Sequence, residues 1–492
     1  MTAETNRINQ GRLFSGSCVA LIATAVAFAV VGDIMGPLKE YFVLTNAQVG
    51  WIGGAALWGF AVSIFVFGPL CDALGMQLLL QLAFLGHFIG VIVMIFANGF
   101  TMLFVGALTI ALGNGIIEAA CNPLVATIYP DRKTEMLNKF HVWFPGGIVI
   151  GGVAAYLLRL AGVHSWQVRL AVILAPTLAY GVLFFGQRFP ATERLQSGVS
   201  FGRMFGETLL RPLFLLLLFC MMMTASLELG PNRWIPAILT AGGIPGILVL
   251  VWISGLMAVL RFYAGPVVHK LSPTGILLAS AAISGVGLMW LSYATVASMA
   301  FAAATVFAVG VCYFWPTMLG VVAERVPKGG ALALALMGGT GMAVVGLITS
   351  PQMGRVADAH INDKLPAIET FACLQEAVRT LPSLKREPDT PAEDIEAAVE
   401  SARQVLASSE AETLPYTTAT ALRSIISAAP ETDTAEKAKA LLGPAENHGG
   451  RVAFRRVAPL SIILVLVFAA LYWHDRSRGG YKAEKIGVGS RQ

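Results

Sequence analysis

Apolar residues fall in long runs along this chain, separated by short polar stretches. Twelve runs stand out, near 15–36, 47–69, 77–97, 102–128, 141–161, 168–187, 211–230, 246–268, 274–295, 299–322, 331–354 and 457–473. A helix needs about 20 apolar residues to cross roughly 30 Å of hydrocarbon. Barrel strands would be about 10 residues long and would alternate apolar with polar; these runs do not alternate. The pattern predicts an all-α membrane protein with about 12 transmembrane helices. Backbone groups in lipid must pair internally, and a helix satisfies its own.

Composition agrees. Hydrophobic residues make up 56% of the 492 positions and charged residues 13%, against about 25% charged in soluble domains. Arg7 and Arg12 precede the first run as in a signal peptide, but the run continues into a polar loop, so an uncleaved span is the simpler reading. The cysteines at 18, 71, 121, 220, 312 and 373 are scattered, without a C-x-x-C pair. They give no disulfide framework and no metal site.

Two longer polar stretches divide the chain. Residues 1–187 form an expected N-terminal six-helix bundle, 188–211 a cytoplasmic linker, and 212–354 helices 7–11. Residues 355–456 form an acidic insertion, 457–473 the last span, and 474–492 a basic tail. Within the insertion, Thr390-Pro391-Ala392-Glu393 is a capping box with proline in the first turn. It predicts a helix from Ala392 to about Ser408, with Ile395, Val399 and Leu406 on its apolar face. A second helix is expected from Ala435 to Leu442, ended by Gly443. The insertion is expected to be a small helical extracytoplasmic domain, with disorder as the alternative.

Residues 358–450 carry a net −8 and the remainder +13. The basic excess is a topology signal and not a nucleic-acid footprint. With both termini cytoplasmic, the inner segments hold Arg7, Arg12, Arg132, Lys133, Lys139, Arg188, Arg194, Arg203, Arg211, Lys270, Arg325, Lys328, Arg476, Arg478, Lys482, Lys485 and Arg491. The short outer loops hold Lys39, Arg159, Arg169 and Arg233. This is the positive-inside bias, which sets the orientation; the expected location is a cytoplasmic (inner) membrane. Arg451, Arg455 and Arg456, just before the last span, run against it.

The chain also repeats itself. Gly68-Pro69-Leu70 with Leu74 recurs as Gly265-Pro266-Val267 with Leu271. Gly115 with Pro123 recurs as Gly310 with Pro316. Two related six-span halves are a transporter pattern.

Ionisable residues inside a bilayer are costly and mark function by default. Three acids fall within or at the edges of spans: Asp33, Glu118 and Glu228. Asn114, Glu118 and Asn122 are spaced i, i+4, i+8, an expected polar stripe suited to solute hydroxyls and a proton. Glu228 is the rough second-half counterpart of Asp33, with Arg261 as its expected partner; a cap at the outer surface is the alternative. His141 and Trp143, before Pro145, are candidates for proton exchange and sugar stacking, against a headgroup-level histidine and a belt tryptophan. Tyr313 and Trp315, before Pro316, are similar candidates. His87, alone on an apolar span, is expected to be structural. No phosphate-cradling G-x-x-x-x-G-K-[ST] motif is present, which disfavours an ATP-driven pump. No enzyme motif and no cofactor site is visible.

The two-half pattern resembles the major facilitator superfamily. Gly68-Pro69-Leu70-Cys71-Asp72-Ala73-Leu74-Gly75 resembles that superfamily's loop motif between spans two and three, with Ala73, Met76 and Gln77 where basic residues are usual. A sharper similarity is to fucose-permease-like sugar:proton symporters. It rests on Asp33-Ile34-Met35-Gly36-Pro37 followed by Leu44-Thr45-Asn46, on Glu118-Ala119-Ala120-Cys121-Asn122-Pro123, and on Leu137-Asn138. His141 stands in place of the family's glutamine and Gly32 in place of its asparagine. The resemblance implies that Asp33 and Glu118 take part in proton coupling and sugar binding. The expected partners are a small solute, protons and the bilayer. An exporter of drugs or metabolites, or a sensor using the insertion, are the alternatives.

Overall fold

The computed structural model describes residues 8–42, 44, 46–384, 392–408 and 414–484. Thr390 and Pro391 of the capping box, Thr45, and the tail residues Lys485 and Arg491 lie outside these, as does Arg7. Among the described residues the chain is helical, with no β-strand.

Six helices build the first half: Gln10–Lys39, Gln48–Leu74, Met76–Ile95, Phe100–Ile128, Lys133–Leu160 and Trp166–Phe184. The second half begins with Pro212–Ala241. Its eighth span, Gly246–Phe262 with Ala264–Leu271, is bent by 65°. Pro273–Leu291, Ala297–Arg325, Pro327–Lys364 and Asp433–Ser477 complete the twelve. The seventh helix runs well past the expected end at 230. Pro231 and Pro236 sit inside it, because packing against neighbouring helices tolerates proline that would end an isolated helix. Glu228 therefore lies within a helix and does not cap an outer loop.

The repeat has a physical counterpart. A Cβ on Gly68, in span 2, would fall 2.0 Å from the Ala335 Cβ of span 11. A Cβ on Gly265, at the end of span 8, would fall 3.0 Å from Glu135 Oε1 at the start of span 5. Spans 2 and 8 correspond under the repeat, and so do spans 5 and 11. Each glycine lets a helix of one half close onto the matching helix of the other.

Those closures lie at the end of the molecule that carries the linker. The N-terminal end lies there too: Arg12 Nε donates to Leu183 O at 2.9 Å. So does the tail, where Tyr481 donates to Glu324 Oε2 at 2.7 Å. The insertion lies at the opposite end. Asn447 Nδ2 donates to Ile238 O at 2.7 Å and Arg451 Nη1 to Ala294 O at 3.2 Å.

The insertion is helical among its described residues. Ala367–Leu384 and Thr418–Ala428 pack onto the prolonged twelfth helix, and Ala392–Ser408 packs against those two, around Leu374, Leu381, Ile395, Val405, Leu422 and Ile425. The expected stop at Gly443 is corrected. One helix runs from Asp433 to Val457 through Gly443 and Pro444. Gly443 serves close packing here, since a Cβ would meet Ala241 O at 2.9 Å.

Candidate functional site

Two prolines prepare the centre of the molecule. Proline lacks an N–H, so it frees the carbonyl four residues earlier. Pro145 frees His141 O, and Pro316 frees Cys312 O. Both carbonyls accept from one side chain in span 8. Arg261 donates through Nη1 to His141 O at 3.1 Å and through Nε to Cys312 O at 2.5 Å. Its Nη2 donates to Glu228 Oε1 at 2.9 Å. The expected Glu228–Arg261 pair is thus present, and it is buried. The planar guanidinium fork suits this three-way role.

The first half supplies a second polar cluster. Asn122 Nδ2 donates to Glu118 Oε2 at 2.5 Å and to Glu118 O at 2.9 Å. His141 Nε2 donates to Asn122 Oδ1 at 3.0 Å. His141 Nε2 lies 3.9 Å from Glu118 Oε2. All three residues are buried. Asn122 therefore positions Glu118 and His141 from behind.

Glu118, His141, Glu228 and Arg261 line one cavity of about 240 Å³ between the halves. Small-molecule sites run about 300–1,000 Å³, so this one admits a small solute only. Phe28, Phe60, Phe144 and Trp315 form its aromatic walls, and Asn232 and Arg233 border it one turn beyond Glu228. Glu228 Oε2 and Asn232 Oδ1 are buried without hydrogen-bond partners.

Not every expected residue joins this cavity. Trp315 lines it; Tyr313 instead donates its hydroxyl to Leu260 O at 2.9 Å. Trp143 packs against the first half's core, where it meets Cys18. Asn114 turns the other way, with its Oδ1 accepting from His87 Nε2 at 2.7 Å. The polar stripe is split because each i+4 step on a helix advances 400°, which accumulates to 80° over eight residues. His87 is also bonded to the Tyr180 hydroxyl at 3.2 Å, a buried structural histidine as expected. Asp33 lies apart from the cavity lining, paired with Arg169 at 2.8 Å and Arg159 at 3.2 Å.

A model of the Major Facilitator Superfamily matches residues 13–350. The chain belongs to the major facilitator superfamily. This is a family of transporters and not of enzymes. The protein is 25% identical over 175 residues to the cis,cis-muconate transport protein of Acinetobacter baylyi, covering 35% of this chain and 42% of that one. It is 28% identical over 142 residues to the Saccharomyces cerevisiae hexose transporter HXT17, covering 28% and 25%. The chain thus spans less than half the length of these curated relatives. Two solved structures share the fold of this superfamily member. The Escherichia coli fucose:proton symporter FucP has a TM-score of 0.59 at 19% identity, over 70% of this chain and 92% of that one. The proton:xylose symporter XylE has a TM-score of 0.59 at 14% identity, over 70% and 89%.

The superfamily's loop motif also finds its missing cation. With alanine, methionine and glutamine at 73, 76 and 77, Asp72 pairs instead with Arg194 of the linker, and its Oδ1 accepts from Thr192 at 2.5 Å. Around it, Lys133 meets Glu193, and Thr134 donates to Glu324 Oε1 from its N at 3.0 Å and its Oγ1 at 2.7 Å. This network joins the halves at the linker end. Sequence reading missed Arg194 because its partner lies 122 residues away. It missed that Arg233 borders the cavity because that residue reads as an outer-loop charge.

Proposed function

We propose that this protein imports a small polar solute, a sugar, together with a proton by alternating access, and that its linker end faces the cytoplasm. One observation carries the reading. Glu118 lies buried between Asn122 and His141, in the same cavity as the Glu228–Arg261 pair of the other half. Intramembrane carboxyl groups that face a cavity serve proton relays. The unpartnered Glu228 Oε2 and Asn232 Oδ1 are acceptors waiting for donors, which sugar hydroxyls supply. Aromatic walls suit the apolar faces of a sugar ring.

The basic residues of the linker and its neighbouring loops support a cytoplasmic linker end. That end is sealed by the Asp72–Arg194 network, so access is from the opposite side. In the proposed cycle, solute and proton enter there, Glu118 takes the proton, and the halves rock about the cavity. Asp33, with its two arginines, stands nearer the entry and guards the passage between the outer surface and the site.

The test is the pH of the medium when a panel of sugars is added to de-energised cells making the protein. Alkalinisation with one sugar, lost in Glu118→Gln, is the expected result. Sugar counterflow that proceeds with no proton movement at any pH would overturn the coupling.

A further inference from the structure

The cavity's charges balance only while Glu118 is ionised, when Glu118 and Glu228 offset Arg233 and Arg261. Arg261 is neutralised by Glu228 at 2.9 Å and further held by two carbonyls. It is also buried, and its donors are engaged within the protein. Arg233 differs on each count. It borders the same cavity, its side chain is exposed, and it has no ion-pair or hydrogen-bond partner among the described residues. Its guanidinium carries a fixed positive charge at any physiological pH. In the state where Glu118 holds a proton, the lining therefore has a net charge of +1 supplied by Arg233.

An unpaired guanidinium beside a small cavity selects a planar anion, because its fork matches a carboxylate in a bidentate way. Glu228 Oε2, more than one turn earlier, and Asn232 Oδ1, on the preceding residue, are orphaned acceptors. Acceptors of that kind are costly to leave unmade and call for hydroxyl donors. A solute that satisfies both features carries hydroxyl groups at one end and a carboxylate at the other.

We infer that the solute is a monoanionic polyhydroxylated acid, a sugar acid, whose carboxylate is held by Arg233 and whose hydroxyls fill the acceptors of Glu228 and Asn232. This rests on the reading of the chain as a proton-coupled solute importer and narrows its solute class. It has an electrical consequence. A monoanion moving with one proton transfers no net charge, whereas a neutral sugar moving with one proton does.

The experiment uses the full-length protein in proteoliposomes, with labelled glucuronate, galacturonate and gluconate beside labelled glucose, galactose and fucose. The expected result is uptake of at least one acid with a KM at least tenfold below that of any neutral sugar. Uptake driven by a proton gradient is then expected to be unchanged by an imposed potential. Arg233→Gln is expected to raise the KM for the acid at least tenfold, and Arg233→Lys to recover part of the loss. Should Arg233→Gln be poorly folded, protection of the parent by free gluconate against an arginine-directed dicarbonyl reagent reads the same contact. Preferred uptake of a neutral sugar, stimulated by an inside-negative potential and indifferent to Arg233→Gln, would overturn this inference and leave proton symport standing. Absence of counterflow for every acid and sugar would overturn both.

Discussion

The Arg261 guanidinium donates to the main-chain carbonyl of His141 at 3.1 Å, across the interface between the halves. That carbonyl is free because Pro145 follows it by four residues. The same guanidinium holds Glu228. One side chain of the second half thus ties together a carboxylate of its own half and the backbone beside His141 of the other.

Removing one partner of a buried ion pair leaves an uncompensated charge and costs about 3–5 kcal/mol. Arg261→Gln is expected to show a loss of that size, read as a lowered Tm of the detergent-solubilised protein. Glu228→Gln in the Arg261→Gln background is expected to restore part of it, because no charge is then stranded. A double variant whose loss equals the sum of the singles would show the pair to be energetically uncoupled. Arg261→Lys keeps the charge and loses the fork, so an intermediate Tm and uptake reduced about tenfold or more are expected.

Much of this was legible in the sequence, for reasons that differ by residue. Span number followed from run length, and Glu118 stood out as a candidate because a carboxyl in hydrocarbon is costly; the structure buries it at the cavity. The Glu228–Arg261 pair was expected because few charges lie within spans. Asn114 was misplaced because a stripe read at four-residue spacing ignores helical drift. Gly443 was misread as a stop because a glycine needed for close approach to Ala241 O looks the same in one dimension. The Asp72–Arg194 contact was invisible because no local spacing encodes a contact between a loop and a distant linker.

The two interface glycines offer a paired test. At Gly68 an added methyl would overlap Ala335 at 2.0 Å, and the neighbour there is itself a Cβ on a packed helix. At Gly265 the obstacle is the Glu135 carboxylate at 3.0 Å, the far end of a flexible side chain. Gly68→Ala is therefore expected to push spans 2 and 11 apart and reduce uptake at least tenfold. Gly265→Ala is expected to stay within about threefold of the parent. Equal effects would show that the two contacts do not carry the closure in the way their geometry implies.

The linker's grip on Asp72 is expected to hold the linker end shut. Asp72 and Arg194 are buried, and Cys71 beside them is fully buried. Arg194→Ala strands Asp72 in the closed state, at a cost of the order of 3–5 kcal/mol. A shift of about 5.5 kcal/mol moves a two-state population from 1:99 to 99:1, so this loss is large enough to open the end. The measurement is maleimide modification of Cys71 from the linker side, read on its peptide by mass spectrometry. At least a tenfold faster reaction is expected in Arg194→Ala. An unchanged rate would mean that the Lys133–Glu193 and Thr134–Glu324 contacts suffice to keep the end closed.

The insertion supplies its own reporter. Burial pushes the Cys373 thiol from its ordinary 9.0 up to about 11. Only the thiolate reacts, so at pH 8 an intact insertion holds Cys373 about a hundredfold less reactive than an unfolded one. Leu422 is fully buried in the same core. Leu422→Asp buries an unpaired charge, which costs several kcal/mol, and is expected to melt the insertion. Cys373 labelling then rises by up to that hundredfold. The insertion's core is separate from the core between the two halves, so solute uptake by Leu422→Asp is expected to stay within about twofold of the parent. Uptake that collapses along with the rise in labelling would show instead that the insertion braces spans 11 and 12, through contacts such as Asn447 to Ile238 and Gly449 against Ala357.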